Sequence, residues 1–198
     1  MQSQLFSDAH AGVSGLRFVP DFLGVGEADD LLRLVGALTL TEARYKEFTA
    51  LRRVAAFGGQ FDYEAFELRD APAIPQAFHP LRDKVATMLD VGPGVFEHML
   101  VAEYRPGTPL GWHRDVPDFE SIVGVSLLGT ATMKFRRYPH RVGARSNAMQ
   151  LELTPRSLYV IEGDARWNWQ HSVMATRELR YSLTLRTRRG SALLAHLR

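Results

Sequence analysis

Tyr104-Arg105-Pro106-Gly107-Thr108-Pro109-Leu110-Gly111-Trp112-His113-Arg114-Asp115 is the stretch from which the fold of this 198-residue chain is read. Pro106-Gly107 signals a turn. Beyond it, His113 and Asp115 are separated by one residue, and an extended strand alternates its side chains between two faces. The expectation is a strand over 111–115 that presents both groups on one side and Arg114 on the other. Two such ligands cannot saturate a transition metal, so a third has to come from another part of the chain. An H-x-D pair by itself is commonplace.

The C-terminal part offers that third group. Trp167-Asn168-Trp169-Gln170-His171 ends in a histidine placed on an expected strand, and Arg180-Tyr181-Ser182-Leu183-Thr184-Leu185-Arg186 follows. Two histidines and a carboxylate form the facial triad that leaves coordination positions open on a non-haem iron. In the segment from Arg180, Tyr181, Leu183 and Leu185 fall on one face and Arg180, Ser182, Thr184 and Arg186 on the other. Such a strand is ordinarily half-exposed. Placed shortly after a metal histidine, its polar face can instead line a barrel and hold a dicarboxylate, since a guanidinium fork matches a carboxylate bidentately.

Together, H-x-D, a distant histidine and R-x5-R resemble the AlkB-type alkylation-repair family of 2-oxoglutarate- and Fe(II)-dependent oxygenases. Further shared parts are Tyr104 before His113, the Val125-Ser126-Leu127 strand, and Gly163-Asp164-Ala165-Arg166 before His171. The resemblance covers the second half of the chain closely and the first half loosely. It implies Fe(II), 2-oxoglutarate and O2, with His113, Asp115 and His171 as metal ligands and catalytic residues. It assigns Tyr104, Arg180 and Ser182 to 2-oxoglutarate and places Arg186 near the metal end. Six strand residues span about 20 Å, so both arginines reach one ligand only if their side chains converge. The implied reaction is oxidative demethylation of alkylated nucleobases in DNA or RNA, releasing formaldehyde, succinate and CO2. One departure stands out. The family commonly has Asn two residues before the tyrosine, where its amide touches 2-oxoglutarate, and this chain has Ala102.

The chain suits one domain over 1–198, with helices and a substrate lid in 1–95 and a β core in 96–188. A fraction of 45% hydrophobic and 23% charged residues describes an ordinary globule. With 24 Lys+Arg against 22 Asp+Glu, the charge permits a nucleic-acid partner without requiring one. No cysteine is present, which excludes disulfides and thiolate zinc sites. The N-terminus lacks a basic stretch followed by an apolar one, and no apolar run reaches membrane-spanning length. The expectation is a cytoplasmic monomer.

Leu16 and Phe18 suggest a short strand. From Gly26 a helix is expected, with Ala28, Leu31, Leu32, Val35 and Leu38 recurring at three and four and acidic residues in the first turn. Residues 41–70 mix basic and aromatic side chains, and Gly58-Gly59 divides them into two candidate strands. The family places its lid there. Arg52 and Arg53 are the candidate phosphate contacts; Phe57 and Tyr63, or Trp112 and Trp169 beside the ligands, are the candidate aromatics for stacking a base of a single strand. A plain hairpin with core aromatics explains the stretch equally well. Pro75 opens a second helix to about Leu89. His79 and His98 lack partners at ligand spacing and read as core or solvated histidines. Eight strands follow: 96–104, 111–115, 121–128, 131–137, 149–153, 157–162, 167–173 and 180–188. This predicts an α+β, mainly β protein: a double-stranded β-helix (jelly roll) with N-terminal helices packed on one sheet. Lys134, Arg136, Arg137, Arg141 and Arg145 form a basic cluster, but adjacent Arg136 and Arg137 cannot share one strand face. Two other functions fit the motifs: the same oxygenase chemistry on a protein side chain or small molecule, and a non-enzymatic metal-binding jelly roll. The second leaves the arginine-bearing strand unexplained.

Overall fold

The computed structural model describes residues 12–45, 48–62, 65–140 and 148–190. Strand β1 (Leu16–Val19) leads into helix α1 (Val25–Gly36), then β2 (Thr41–Tyr45), β3 (Phe48–Phe57), β4 (Gln60–Asp62) and β5 (Glu67–Arg69). Helix α2 (His79–Met88) precedes β6 (Phe96–Tyr104), β7 (Leu110–His113), β8 (Phe119–Leu128), β9 (Ala131–Arg137) and β10 (Met149–Leu153). Last come β11 (Leu158–Ile161), the short helix α3 (Gly163–Trp167), β12 (Trp169–Val173) and β13 (Arg180–Arg188).

Among the described residues, one sheet has the order β1-β11-β8-β13-β6-β3-β2 and a second the order β10-β9-β12-β7, while β4 and β5 pair with each other. The chain crosses between the two main sheets: β6, β8, β11 and β13 join the larger, and β7, β9, β10 and β12 the smaller. This is the expected double-stranded β-helix, with both sheets open at their edges.

Alternation along β13 sets which face is which. Leu183 and Leu185 pack under the helices with Leu31, Val35, Leu81 and Val85. Each such buried side chain contributes about 1.5–3 kcal/mol, so the helices fix the outer face of the large sheet. Arg180, Ser182, Thr184 and Arg186 are thereby turned inward, toward the smaller sheet. A second apolar cluster, including Phe119, Met133, Phe135, Leu151 and Leu153, fills the space between the sheets.

Glu27 accepts the Gly24 backbone N–H at 2.7 Å and closes the first turn of α1. Several boundaries differ from the sequence reading. Pro75 opens only a single 3-10 turn, Gln76–Phe78, and α2 begins at His79, with Pro80 where a missing N–H costs nothing. Strand β7 stops at His113, so Asp115 lies beyond it, and β12 starts at Trp169 because Gly163–Trp167 coils into α3. The 41–70 region does form strands on both sides of Gly58-Gly59, and β3 extends the large sheet beside β6. No described helix is long and apolar enough to cross a membrane.

Candidate metal centre and co-substrate pocket

Strands β7 and β12 pair with His113 opposite His171, and their rings lie 4.3 Å apart between centroids. Asp115 Oδ2 stands 3.5 Å from His171 Nε2. One ligand atom from each of the three residues lies within 4.8 Å of the others. Two imidazoles and a carboxylate at that spacing could hold a single transition-metal ion. His113 Nδ1 is 2.8 Å from the Gly111 carbonyl. A carbonyl only accepts, so Nδ1 carries the proton and Nε2 is left with its lone pair for a metal.

Strand alternation does not explain Asp115, because the strand has ended. Two buried arginines place it instead. Arg186 Nε and Nη2 donate to Asp115 Oδ1 at 3.2 and 3.0 Å. Arg166, 3% exposed, donates to the backbone carbonyls of Asp115 at 3.1 Å, Val116 at 2.7 Å and Phe119 at 2.9 Å. Burial alone acts to raise the Asp115 carboxyl, but the Arg186 cation and the neighbouring imidazoles outweigh it and hold the group far below the usual carboxylate range. Burial, and then the neighbouring His113, push His171 down to about 3. The site is therefore neutral imidazoles around an ionised carboxylate, the protonation state that metal ligation demands.

His98 reads correctly as a core histidine, 4% exposed. It also supports the site. Its Nδ1 accepts from Arg186 Nη1 at 3.2 Å, and its ring hydrogen-bonds the Gly59 backbone.

Arg166 carries a prediction of its own. Arg166→Met removes the donors of three carbonyls, each worth about 1–3 kcal/mol when left unsatisfied. Metal-free Arg166→Met should unfold at clearly lower urea concentration than wild type, and Mn(II) affinity should fall as the Asp115 segment loosens. An unchanged urea midpoint together with unchanged Mn(II) affinity would show that the clamp is dispensable.

Behind the three candidate ligands the two sheets enclose a pocket. From β13 it takes Arg180, Ser182, Thr184 and Arg186; from β6, Leu100, Ala102 and Tyr104; and it also includes Arg52, Ile122 and Tyr159. Arg180 is 1% exposed, donates from Nε to Ser126 Oγ at 2.8 Å and lies 5.2 Å over the Tyr104 ring. Its Nη2 is buried without a hydrogen-bond partner. A buried guanidinium with an unused donor is costly unless a ligand accepts it, and a carboxylate is the natural acceptor. The donor set and this orphaned Nη2 both fit a metal-chelating dicarboxylate such as 2-oxoglutarate.

The residues expected to contact substrate are dispersed. Arg52 lines the pocket and donates to Tyr104 Oη at 3.4 Å. Arg53 and Phe57 pair with Glu103 and Met99 of β6, on the opposite face of the sheet. There Arg53 makes a bidentate bond to Glu103 at 2.8 and 2.7 Å, and Phe57 packs 6.4 Å from Phe78 in the helix-covered core. Strand parity removes both from the pocket. Trp169 is 9% exposed, belongs to the core between the sheets and donates Nε1 to Asp164 Oδ2 at 2.9 Å. Trp112 lies under the Arg136 guanidinium at 4.3 Å and is not among the pocket residues. Tyr63 lies outside the described residues, as do Arg141 and Arg145.

Arg166, His98 and Tyr159 were not legible as site residues. Arg166 stood in the Gly163–Arg166 motif without a role, and Tyr159 sits in an unbroken apolar run, Leu158–Ile161, with no alternation to show which way it faces.

Comparison with known proteins adds independent observations. The family model described as the 2OG-Fe(II) oxygenase superfamily matches residues 15–190. An Arabidopsis thaliana protein named alkylated DNA repair protein ALKBH8 homolog is 28% identical over 187 residues, 84% of this chain and 52% of that protein. The Mus musculus tRNA (carboxymethyluridine(34)-5-O)-methyltransferase ALKBH8 is 26% identical over 165 residues, 80% of this chain and 24% of its own length. The chain thus spans about half of the plant relative and a quarter of the mouse one. The solved structure of OsALKBH1 superposes with a TM-score of 0.70 at 16% identity, covering 87% of this chain and 96% of that one.

Proposed function

The chain belongs to the 2OG-Fe(II) oxygenase superfamily, and from that premise we propose that it is an oxidative demethylase of alkylated nucleobases in nucleic acid. The 2-oxoglutarate-dependent dioxygenase chemistry, with Fe(II), 2-oxoglutarate and O2, comes with the family and the AlkB-type relatives. The observation that carries the assignment of residues is the clustering of His113, Asp115 and His171 at a pocket that also holds the unpartnered Nη2 of Arg180.

In this reading His113 Nε2, His171 and the Asp115 carboxylate hold the iron. Arg180 takes the distal carboxylate of 2-oxoglutarate with help from Tyr104 and Ser182, and Arg186 keeps Asp115 ionised and aimed. Once bound, the iron and 2-oxoglutarate would supply the oxidation: O2 is consumed, one oxygen atom goes to succinate as CO2 is lost from 2-oxoglutarate, and the other hydroxylates an N-methyl group. The resulting hydroxymethyl amine sheds formaldehyde and leaves the N–H. The protein's part is to position the methyl group and exclude other reactions.

The nucleic-acid substrate rests on the relatives, one named for alkylated-DNA repair and another for tRNA. A base has to leave any stack to reach an iron inside a barrel, which costs a few kcal/mol from a duplex and least from a single strand. Methylated single-stranded oligonucleotides should therefore stimulate succinate formation and release formaldehyde, and unmethylated ones should not. Binding should weaken steeply with salt. If oligonucleotides neither bind nor stimulate turnover while Mn(II) and 2-oxoglutarate bind normally, the substrate is a protein side chain or small molecule.

A further inference from the structure

Tyr159 belongs to the pocket and has no role in the assignments above. It is 6% exposed, yet none of the described groups hydrogen-bonds its hydroxyl. Its neighbour on β8 is Gly124, which pairs with Tyr159 on one side and with Thr184 of β13 on the other. A Cβ built on Gly124 would meet Tyr159 Cζ at 2.2 Å, Cε1 at 2.4 Å and Oη at 2.4 Å. Those are the outer atoms of the ring. The side chain therefore lies flat across the Gly124 backbone, and its hydroxyl is carried from β11 over β8 toward the inward-facing polar row of β13. Any residue larger than glycine at 124 would lift it away.

The hydroxyl arrives where positive charge is concentrated. Burial is the main influence raising the Tyr159 phenol, and the Arg180 guanidinium is the strongest charge acting against it, with Tyr104 also close enough to interact. Ala102, on the same wall of the pocket, has only a methyl group to offer. A phenol that lines the pocket without a partner, on the same wall as a buried guanidinium with an unpartnered donor, is an incomplete polar site. Buried polar groups are otherwise almost always satisfied.

We propose that Tyr159 is a further co-substrate-binding residue, donating its hydroxyl to the distal carboxylate of 2-oxoglutarate beside Arg180, and that Gly124 is the residue that makes room for it. This rests on the assignment of Arg180 to that carboxylate. The site then receives the carboxylate with a charged fork on one side and a neutral donor on the other. That combination favours a dicarboxylic keto acid over a monocarboxylic one.

The test compares two ligands on Mn(II)-loaded protein under anaerobic conditions, by calorimetry. One is 2-oxoglutarate; the other is 2-oxopentanoate, which keeps the keto acid and carries a methyl in place of the distal carboxylate. Tyr159→Phe preserves the ring and removes only the hydroxyl. It should weaken 2-oxoglutarate about tenfold or more, as expected for a hydrogen bond to a charged group, and leave 2-oxopentanoate unchanged. Gly124→Ala, if folded, should show the same selective loss. Unchanged 2-oxoglutarate affinity in Tyr159→Phe overturns the proposal, and so does an equal loss for both ligands, which would mark a purely structural tyrosine. Wild type that fails to prefer 2-oxoglutarate, with Arg180→Met no different, would overturn the Arg180 assignment and this inference with it. A wild-type preference that Arg180→Met abolishes and Tyr159→Phe retains would overturn this inference alone.

Discussion

Replacing His171 by alanine is expected to abolish Fe(II)-dependent conversion of 2-oxoglutarate to succinate, a loss of more than about 100-fold, since even outer-shell partners of a metal ligand commonly cost 10–100-fold. His113→Ala should do the same. The carboxylate calls for a different substitution. Asp115 accepts two bonds from Arg186, which is 9% exposed, so Asp115→Ala would strand a buried guanidinium, and breaking a buried pair costs roughly 3–5 kcal/mol. Asp115→Asn keeps an oxygen for Arg186 and removes only the charge. It should cost less stability than Asp115→Ala in the urea midpoint while losing Mn(II) affinity and turnover. A well-folded His171→Ala protein with full succinate production would refute the triad.

Arg180→Met is expected to raise the apparent KM for 2-oxoglutarate by about 100-fold, with Arg180→Lys intermediate because an ammonium cannot reproduce a planar fork. The structure gives a physical basis for separating this from Arg186, which the resemblance had placed near the metal end. Arg186 reaches Asp115 and His98, and Arg180 reaches Ser126 and the Tyr104 ring. Arg186→Met should therefore weaken metal binding first, and Arg180→Met should weaken co-substrate binding at unchanged metal affinity. Titrations of Mn(II) and then of 2-oxoglutarate distinguish the two. Equal co-substrate affinity in wild type and Arg180→Met would show that the anchor lies elsewhere.

These expectations owe different amounts to sequence and to structure. Period-2 alternation in β13 was enough to sort Leu183 and Leu185 from Arg180, Ser182, Thr184 and Arg186, because a strand allows only two faces and one must be apolar. Turn-forming residues at their ends were enough to locate β6, β9, β10 and β13 to the residue. For Asp115 the alternation rule was misapplied. The strand ends at His113, and the carboxylate is aimed by guanidinium groups from residues 166 and 186, a dependence no local pattern contains.

The sequence by itself determined the fold class, the residue types gathered at the candidate metal centre and the faces of the long strands, because these follow from local periodicity and from motifs whose spacing is tied to chemistry. Only the tertiary structure decided which cations and aromatics line the pocket. Arg53 and Phe57 are kept from the pocket that Arg52 enters by strand parity against β6, and that pairing register is set by contacts far apart in the chain. Trp169 was drawn into the core between the sheets, while Tyr159 reached the pocket across a glycine of another strand. Local sequence specifies which way a side chain leaves its own strand; what it meets there is decided by the strand that hydrogen bonding and apolar burial bring alongside.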